Sequence, residues 1–496
     1  MFSFLPFPQI VPFTLILPHK TDRIMSRKKN QKQLFENVEI TDIAAEGMAM
    51  GKYEGMVVFV PLAIPGDVVD VEGKVKHNRY IEGRVVRYVK MSDKRIEPFC
   101  RHFGTCGGCK WQILPYEMQT AWKQKQVVDN LTRIGHLELP EVSPILGSQR
   151  TMEYRNKLEF AFSPLRWLAP EQIANADKLE QRSLGYHLPR FFDKVVDIDE
   201  CRLMPEPVNE IRNALKQFAI DNNISFYHQR EHFGLLRNVV FRNSNTGGLM
   251  VILIVSEDNR QQISLVMDFL HSCFPQITSL MYMINSKLND SYTDLPATLY
   301  AGDDHIVGEM AGLKFKIGPN SFYQTNTDQA TVLYGVAKDF AELTGNEVVY
   351  DLYTGTGTIA CFVADKAQKV IGIEYVEDAI ADAKVNAQMN NLTNLDFYAG
   401  DMKNVLTDSF IAEHGRPDVI ITDPPRSGMH PDVVQVILNA NPKCIVYVSC
   451  NPATQARDLA MMSQQYRIAK VQPVDMFPQT QHVENVVQLI RIEEKE

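Results

Sequence analysis

A chain of 496 residues is too long for one core and implies two to four domains. Its 45% hydrophobic and 22% charged residues are the balance of a soluble globular protein. A net charge of -9 excludes a protein that coats nucleic acid non-specifically, but leaves open a local basic surface.

Met1 to Leu17 is apolar, yet Pro6, Pro8 and Pro12 interrupt it and no Lys or Arg precedes it. It fits neither a signal peptide nor a membrane span. We expect translation to start at Met25, with residues 1–25 an untranslated or disordered extension. No other stretch is apolar enough to cross a membrane, and a cytoplasmic protein without an obligate protein partner is expected.

Residues 30–92 read as a small β-barrel of the oligonucleotide-binding type. Val57-Val58-Phe59-Val60, Val68-Val69-Asp70-Val71 and Gly83-Arg84-Val85-Val86 are short β-rich runs, punctuated by Gly47, Gly51, Gly55, Pro65-Gly66 and Gly73. Lys74, Lys76, Arg79, Arg84, Arg87 and Lys90 cluster around Tyr80. Charge beside an aromatic ring suits a phosphate backbone and a stacked base; a solvated barrel face is the alternative.

Residues 93–300 read as a central α+β domain. It opens with Cys100, Cys106 and Cys109 in one Gly-rich loop, followed by a helix over about 116–134. Cys201 is the natural fourth ligand of a metal site. Four thiolates hold zinc or an iron–sulfur cluster, and spacing does not separate the two. Cys361 and Cys444 read as core residues, and Cys273 as structural.

From about 301 to 496 apolar strand-like runs alternate with helices, the pattern of a doubly wound parallel sheet. Val348-Val349-Tyr350 runs into Thr354-Gly355-Thr356-Gly357-Thr358 and a helix from about Ile359. The glycines let backbone approach a ligand. Ala360 stands where a dinucleotide fingerprint has its third glycine. Glu374 ends the next strand, where an acid accepts from ribose hydroxyls. Asp401 ends the third and would meet an adenine; a helix N-cap is its competing role. Loop and acids together fit S-adenosylmethionine better than a pyrophosphate cofactor.

Asp423-Pro424-Pro425-Arg426 and Ser449-Cys450-Asn451-Pro452 each follow a strand, and His482-Val483-Glu484 comes near the C-terminus. With Phe322-Tyr323-Gln324-Thr325-Asn326, these motifs make the sequence from about 34 to 496 resemble the RNA uridine-5 methyltransferases (TrmA/RumA type). The resemblance is closest to the 23S ribosomal RNA enzymes of the RlmD type, which carry an N-terminal TRAM domain. It implies a multidomain α/β protein with a TRAM barrel and a C-terminal Rossmann-like methyltransferase sheet.

It further implies Cys450 as covalent nucleophile, Glu484 as base and Asp423 as the acid at the uracil and cofactor. Gln324, Tyr353, Glu374, Asp401 and Asp423 would contact S-adenosylmethionine, and Arg426 would bind phosphate or hold Asp423. Cys100, Cys106, Cys109 and Cys201 would ligate a 4Fe–4S cluster. The partner implied is RNA, 23S ribosomal RNA, with the target uridine single-stranded or flipped out. The same reaction on transfer RNA is the nearer alternative. A Rossmann-type iron–sulfur oxidoreductase is the more distant one, and it leaves Cys450 unexplained.

Overall fold

The computed structural model describes residues 32–493 apart from Asn78 and Arg190, so the expected extension at 1–25 lies outside the described residues. Among the described residues, no helix is long and apolar enough to cross a membrane.

The N-terminal strands β1 (Gln33–Ile43), β2 (Ala49–Tyr53), β3 (Met56–Val60), β4 (Val68–Lys76) and β5 (Tyr80–Lys90) close a barrel in the order β1-β2-β3-β5-β4. Alternation places Val58, Val60, Val69, Val71 and Ile81 inside it. Of the basic residues on its outside, Arg84 pairs with Glu72 and Arg87 with Asp70, at 2.9 and 2.7 Å. The basic face expected from the sequence is therefore thinner by two charges, because cross-strand carboxylates take them up.

The central sheet has seven strands: β6 (Lys157–Ser163), β7 (Ser183–His187), β8 (Val195–Asp197), β9 (Leu236–Asn243), β10 (Leu249–Val255), β11 (Ser279–Ile284) and β12 (Thr298–Gly302). They lie in the order β12-β11-β10-β9-β6-β7-β8. The helices Val208–Asp221 and Arg260–Cys273 pack their apolar stripes on one face. Cys273, at the end of the second, is exposed rather than part of the structural core expected for it. Cys361 and Cys444 are buried as expected.

A hairpin, β13 (Ile306–Met310) and β14 (Leu313–Ile317), leads into the C-terminal sheet. This contains β15 (Val348–Leu352), β16 (Lys369–Glu374), β17 (Leu395–Ala399), β18 (Val419–Thr422), β19 (Cys444–Ser449), β20 (Tyr466–Val474) and β21 (Glu484–Arg491). The order is β17-β16-β15-β18-β19-β21-β20, parallel up to β19, with β21 antiparallel to both its neighbours. The strand order reverses between β15 and β18, the switch point at which such sheets bind ligands.

The helix Tyr116–Arg133 ties the parts together. Its Val127 and Leu131 belong to the core of the C-terminal sheet. Its opposite turns grip the segment 475–482 that precedes β21. Lys123 Nζ meets Asp475 at 2.5 Å with both side chains fully buried, and donates to the Phe477 carbonyl at 3.0 Å. Tyr116 donates to Asp475 at 2.8 Å, and Gln119 exchanges hydrogen bonds with Gln479 at 2.9 and 3.0 Å. A buried charge that loses its partner is costly. Lys123→Met is therefore expected to destabilise by about 3–5 kcal/mol, and Lys123→Met with Asp475→Leu by much less; urea denaturation of the three proteins checks this.

Candidate active site

The site follows from strand register. Leu352 lies opposite Thr422, Thr422 opposite Tyr447, and Ser449 opposite Asn485. The residues just beyond the carboxyl ends of β15, β18 and β19 are Tyr353, Asp423 and Cys450, so they share one edge. Because β21 runs the other way, its first residue, Glu484, arrives at that same edge beside Cys450. Two motifs 27 positions apart and a third near the C-terminus become neighbours through the sheet alone.

Acidic groups crowd together here. Burial pushes Glu484 up to about 8, and Asp423 adds to the effect. Burial and then Asp351 push Asp423 up to about 7. The Cys450 thiol is raised to about 11 by burial and by Glu484 and Asp423, against the pull of Arg426. Buried acids this close cannot all ionise, so they titrate as a set. Groups of perturbed acidity gathered in one cleft mark a chemical site.

Arg426 is the cation of the cluster. Its Nη2 donates to His482 Nδ1 at 2.5 Å. Burial and the neighbouring cations Arg426, Lys123, Lys110 and Arg155 pull His482 down to about 4, which keeps it a neutral acceptor. Asn451 caps the helix Pro452–Met462 through Ala453 N, and its Nδ2 donates to the Arg426 carbonyl at 3.0 Å. Asp458, fully buried, accepts from Met429 N and the Tyr447 hydroxyl. These bonds lock the loop after β18 to the turn after β19. Asn451 was visible in its motif but had no role assigned, and Asp458 gave no sequence signal.

The ligand loop lies next to this cluster. Tyr353 turns the chain with φ 62°, a conformation rare outside glycine and typical of functional turns. At Gly357, φ 79°, a Cβ would stand 3.0 Å from Ala383 and the Phe397 ring, so a larger residue does not fit. Glu374 accepts from Gly355 N at 3.2 Å and from Val376 N at 3.1 Å. Asp401 caps the short helix Met402–Val405 through Lys403 N, the competing role foreseen for it. Burial, then Asp458, and then Asp401 and Glu374 raise the Tyr353 phenol, so both acids lie near it. Glu374, Asp401 and Tyr353 thus gather at the carboxyl edge. Asp351 beneath it was not singled out. Its Oδ2 accepts from Thr354 and from Ala360 N, while Oδ1 is buried without a partner.

Gln324 enters from the segment before the helix Thr327–Ala341. Its carbonyl accepts from Asn156 Nδ2 at 2.8 Å, and its side chain meets Tyr334, which also feels Asp423 and Glu484. Beside it Phe322 is 69% exposed, an aromatic face left open at the rim of the site. The orphaned Asp351 oxygen, the glycine cradle and the rim of acids fit a cationic nucleoside such as S-adenosylmethionine. An open hollow of about 470 Å³, lined by Val348, Lys369, Asp396 and His414, lies at the amino ends of the strands, away from these groups.

Cys100, Cys106, Cys109 and Cys201 line one small cavity with Tyr186 and Leu203. None forms a disulfide. Among the described residues, no three His, Cys, Asp or Glu side chains stand in a metal-ligating arrangement. Burial raises Cys106 to about 11 and Cys109 to about 12. The loop is joined to the active-site strap, since Lys110 N and Trp111 N both donate to the Gln479 carbonyl.

Comparison with known proteins agrees with this geometry. Residues 305–492 match the family described as tRNA (Uracil-5-)-methyltransferase. An uncharacterised RNA methyltransferase of Bacteroides thetaiotaomicron is 56% identical, covering 90% of this chain and 99% of its own length. Another, of Chlorobaculum tepidum, is 39% identical over 92% of this chain and 96% of its own. The crystal structure of Pyrococcus abyssi tRNA (uracil-54, C5)-methyltransferase with S-adenosyl-L-homocysteine superposes with a TM-score of 0.71 at 28% identity, covering 93% of this chain and all of that one. The chain belongs to the RNA uracil-5 methyltransferase family and is an S-adenosylmethionine-dependent enzyme.

Proposed function

We propose that the enzyme methylates carbon 5 of a uridine in 23S ribosomal RNA through a covalent bond between Cys450 and carbon 6. The observation that carries this reading is the meeting of Cys450, Glu484 and Asp423 at one sheet edge beside the ligand loop. Uracil carbon 5 is a weak nucleophile. Addition of the Cys450 thiolate to carbon 6 places negative charge on the ring, and carbon 5 becomes nucleophilic. S-adenosylmethionine supplies an electrophilic methyl group at this point. Glu484 then takes the proton from carbon 5, and the ring electrons expel the Cys450 thiolate. Asp423 faces uracil and cofactor, and Arg426 steadies charge on the thiolate. Gln324, Tyr353, Glu374 and Asp401 hold the cofactor. The exposed Phe322 ring offers a stacking face for the flipped base.

The barrel grips flanking RNA with Lys74, Lys76, Arg79 and Lys90 beside Tyr80, in the cytoplasm where ribosomal RNA is made. The ribosomal assignment rests on the pairing of this barrel with the four-cysteine segment. A tritiated methyl group incubated with enzyme and RNA from cells lacking it is expected to appear as 5-methyluridine in 23S RNA; label confined to transfer RNA would overturn the assignment.

We further propose that Cys100, Cys106, Cys109 and Cys201 hold a 4Fe–4S cluster with a bracing role, since their loop is bonded to the strap that presents Glu484. Four soft thiols on one cavity fit a soft metal group. Anaerobically purified protein is expected to be brown and to contain four irons and four sulfides per chain. A colourless protein with stoichiometric zinc would contradict the cluster.

A further inference from the structure

The central-sheet face turned toward the C-terminal domain changes character across its width. Over β9 to β11 it is apolar, with Val240, Met250 and Ile252 packed in one core with Phe315 and Tyr323. Over β6, β7 and the start of β9 it is polar. Leu158, Phe160 and Val239 point into the opposite core, so alternation turns Lys157, Glu159 and Asn238 to this side. Asn238 is 3% exposed, while Lys157, Glu159 and His187 are half-buried.

Hydrogen-bonding capacity on this floor is unspent. Asn238 Nδ2 donates to Glu159 at 3.1 Å, but its Oδ1 is buried without a partner. Neither ring nitrogen of His187 makes a hydrogen bond of ordinary geometry, though the Phe192 backbone comes near the ring and Asp290 stands 3.9 Å from Nε2. Lys157 Nζ lies over the Tyr292 ring at 5.7 Å. Buried polar atoms in a native fold are almost always satisfied, so exceptions gathered on one surface call for a ligand.

The Lys157 end of the floor adjoins the active site, and Asn238, paired with Ala161, lies at its other end. Asn156, just before β6, bonds the Gln324 carbonyl, and Arg242 on β9 donates to the Gly318 and Pro319 carbonyls at 2.7 and 3.2 Å. Beyond β7, Phe191 and Phe192 are 53% and 62% exposed at the margin, Phe192 with Arg230 over one face of its ring at 5.2 Å.

We propose that this floor is a second base-recognition subsite, which takes an unstacked nucleobase bearing an exocyclic amine from the RNA strand beside the target uridine. The proposal rests on the chain being an RNA uracil-5 methyltransferase. Asn238 Oδ1 accepts from the amine, as asparagine does when it reads an adenine edge. The His187 ring supplies a donor or acceptor to the adjoining ring nitrogen. Uracil, which has no exocyclic amine, is excluded from this subsite while it is selected at the catalytic one.

The test measures tritiated methyl transfer into total RNA from cells lacking the protein, over a range of RNA concentrations. Asn238→Ala and His187→Ala are each expected to raise KM about tenfold, with kcat within twofold of wild type. Unchanged KM in both variants overturns the proposal. Where thermal melting shows that Asn238→Ala has lost its fold, the half-buried His187→Ala decides alone. A second arm uses RNA spanning the modified uridine, with each flanking adenosine or guanosine replaced in turn by inosine and each cytidine by uridine. One position is expected at which the loss of amine weakens wild type but not Asn238→Ala; no such position overturns the proposal. A wrong ribosomal assignment would appear as label in another RNA and would leave the variant-to-wild-type ratios untouched.

Discussion

Cys450→Ala is expected to reduce methyl transfer by at least about a thousandfold and to abolish the covalent complex that wild type forms with RNA containing 5-fluorouridine. Fluorine cannot leave as a proton, so an adduct that has received its methyl group stays on the enzyme and is seen as a shifted band in a denaturing gel. The thiol needs help to react. Burial holds it at about 11 and Glu484 at about 8, so passing its proton to that carboxyl is uphill. Three features lower this cost. Arg426 sits against the sulfur, the helix Pro452–Met462 begins two residues later with its positive end toward Cys450, and the cofactor brings a sulfonium charge to a pocket of acids. Methyl transfer by Cys450→Ala or Cys450→Ser at the wild-type rate would exclude the covalent route, whatever the RNA.

The parts of this site that the sequence made legible share one property. Gly355, Asp423, Cys450 and Glu374 each lie within a few positions of the end of an apolar strand, and parallel strands in a doubly wound sheet end on the same side. Spacing along the chain then becomes proximity in space. Glu484 was legible only through its motif, because its placement depends on β21 being antiparallel, which a run of apolar residues does not announce. Contacts across domains were not legible at all. Lys123 sits in a helix of ordinary polar pattern, yet it is fully buried against Asp475, 352 positions away. Asp351 lies within a strand run and reads as an interruption of it, though its Oδ2 accepts from Thr354 and Ala360 of the ligand loop and its Oδ1 is left without a partner. Arg84 and Arg87 read as free cations because the carboxylates that bind them lie on the neighbouring strand.

Glu484→Gln separates the two halves of the reaction. Cys450 and the methyl donor are untouched, so addition and methylation proceed, but no base removes the proton from carbon 5. The expected result is accumulation of enzyme bonded to natural, non-fluorinated RNA, with turnover reduced at least about a hundredfold. The pH dependence follows from the same burial. Glu484 must be ionised to accept a proton, so wild-type turnover should rise with pH through about 8, and the trapped variant should lack that limb. Stability runs the other way. A carboxyl whose folded pKa is raised from its ordinary value near 4.5 to about 8 costs the fold nothing below about 4.5, where folded and unfolded chains are both protonated, and destabilises it progressively as pH rises across that interval and the unfolded chain ionises. Glu484→Gln is therefore expected to melt with wild type at pH 5 and above it at pH 9. Normal turnover by Glu484→Gln would transfer the role of base to Asp423, the other carboxyl that burial holds near neutrality.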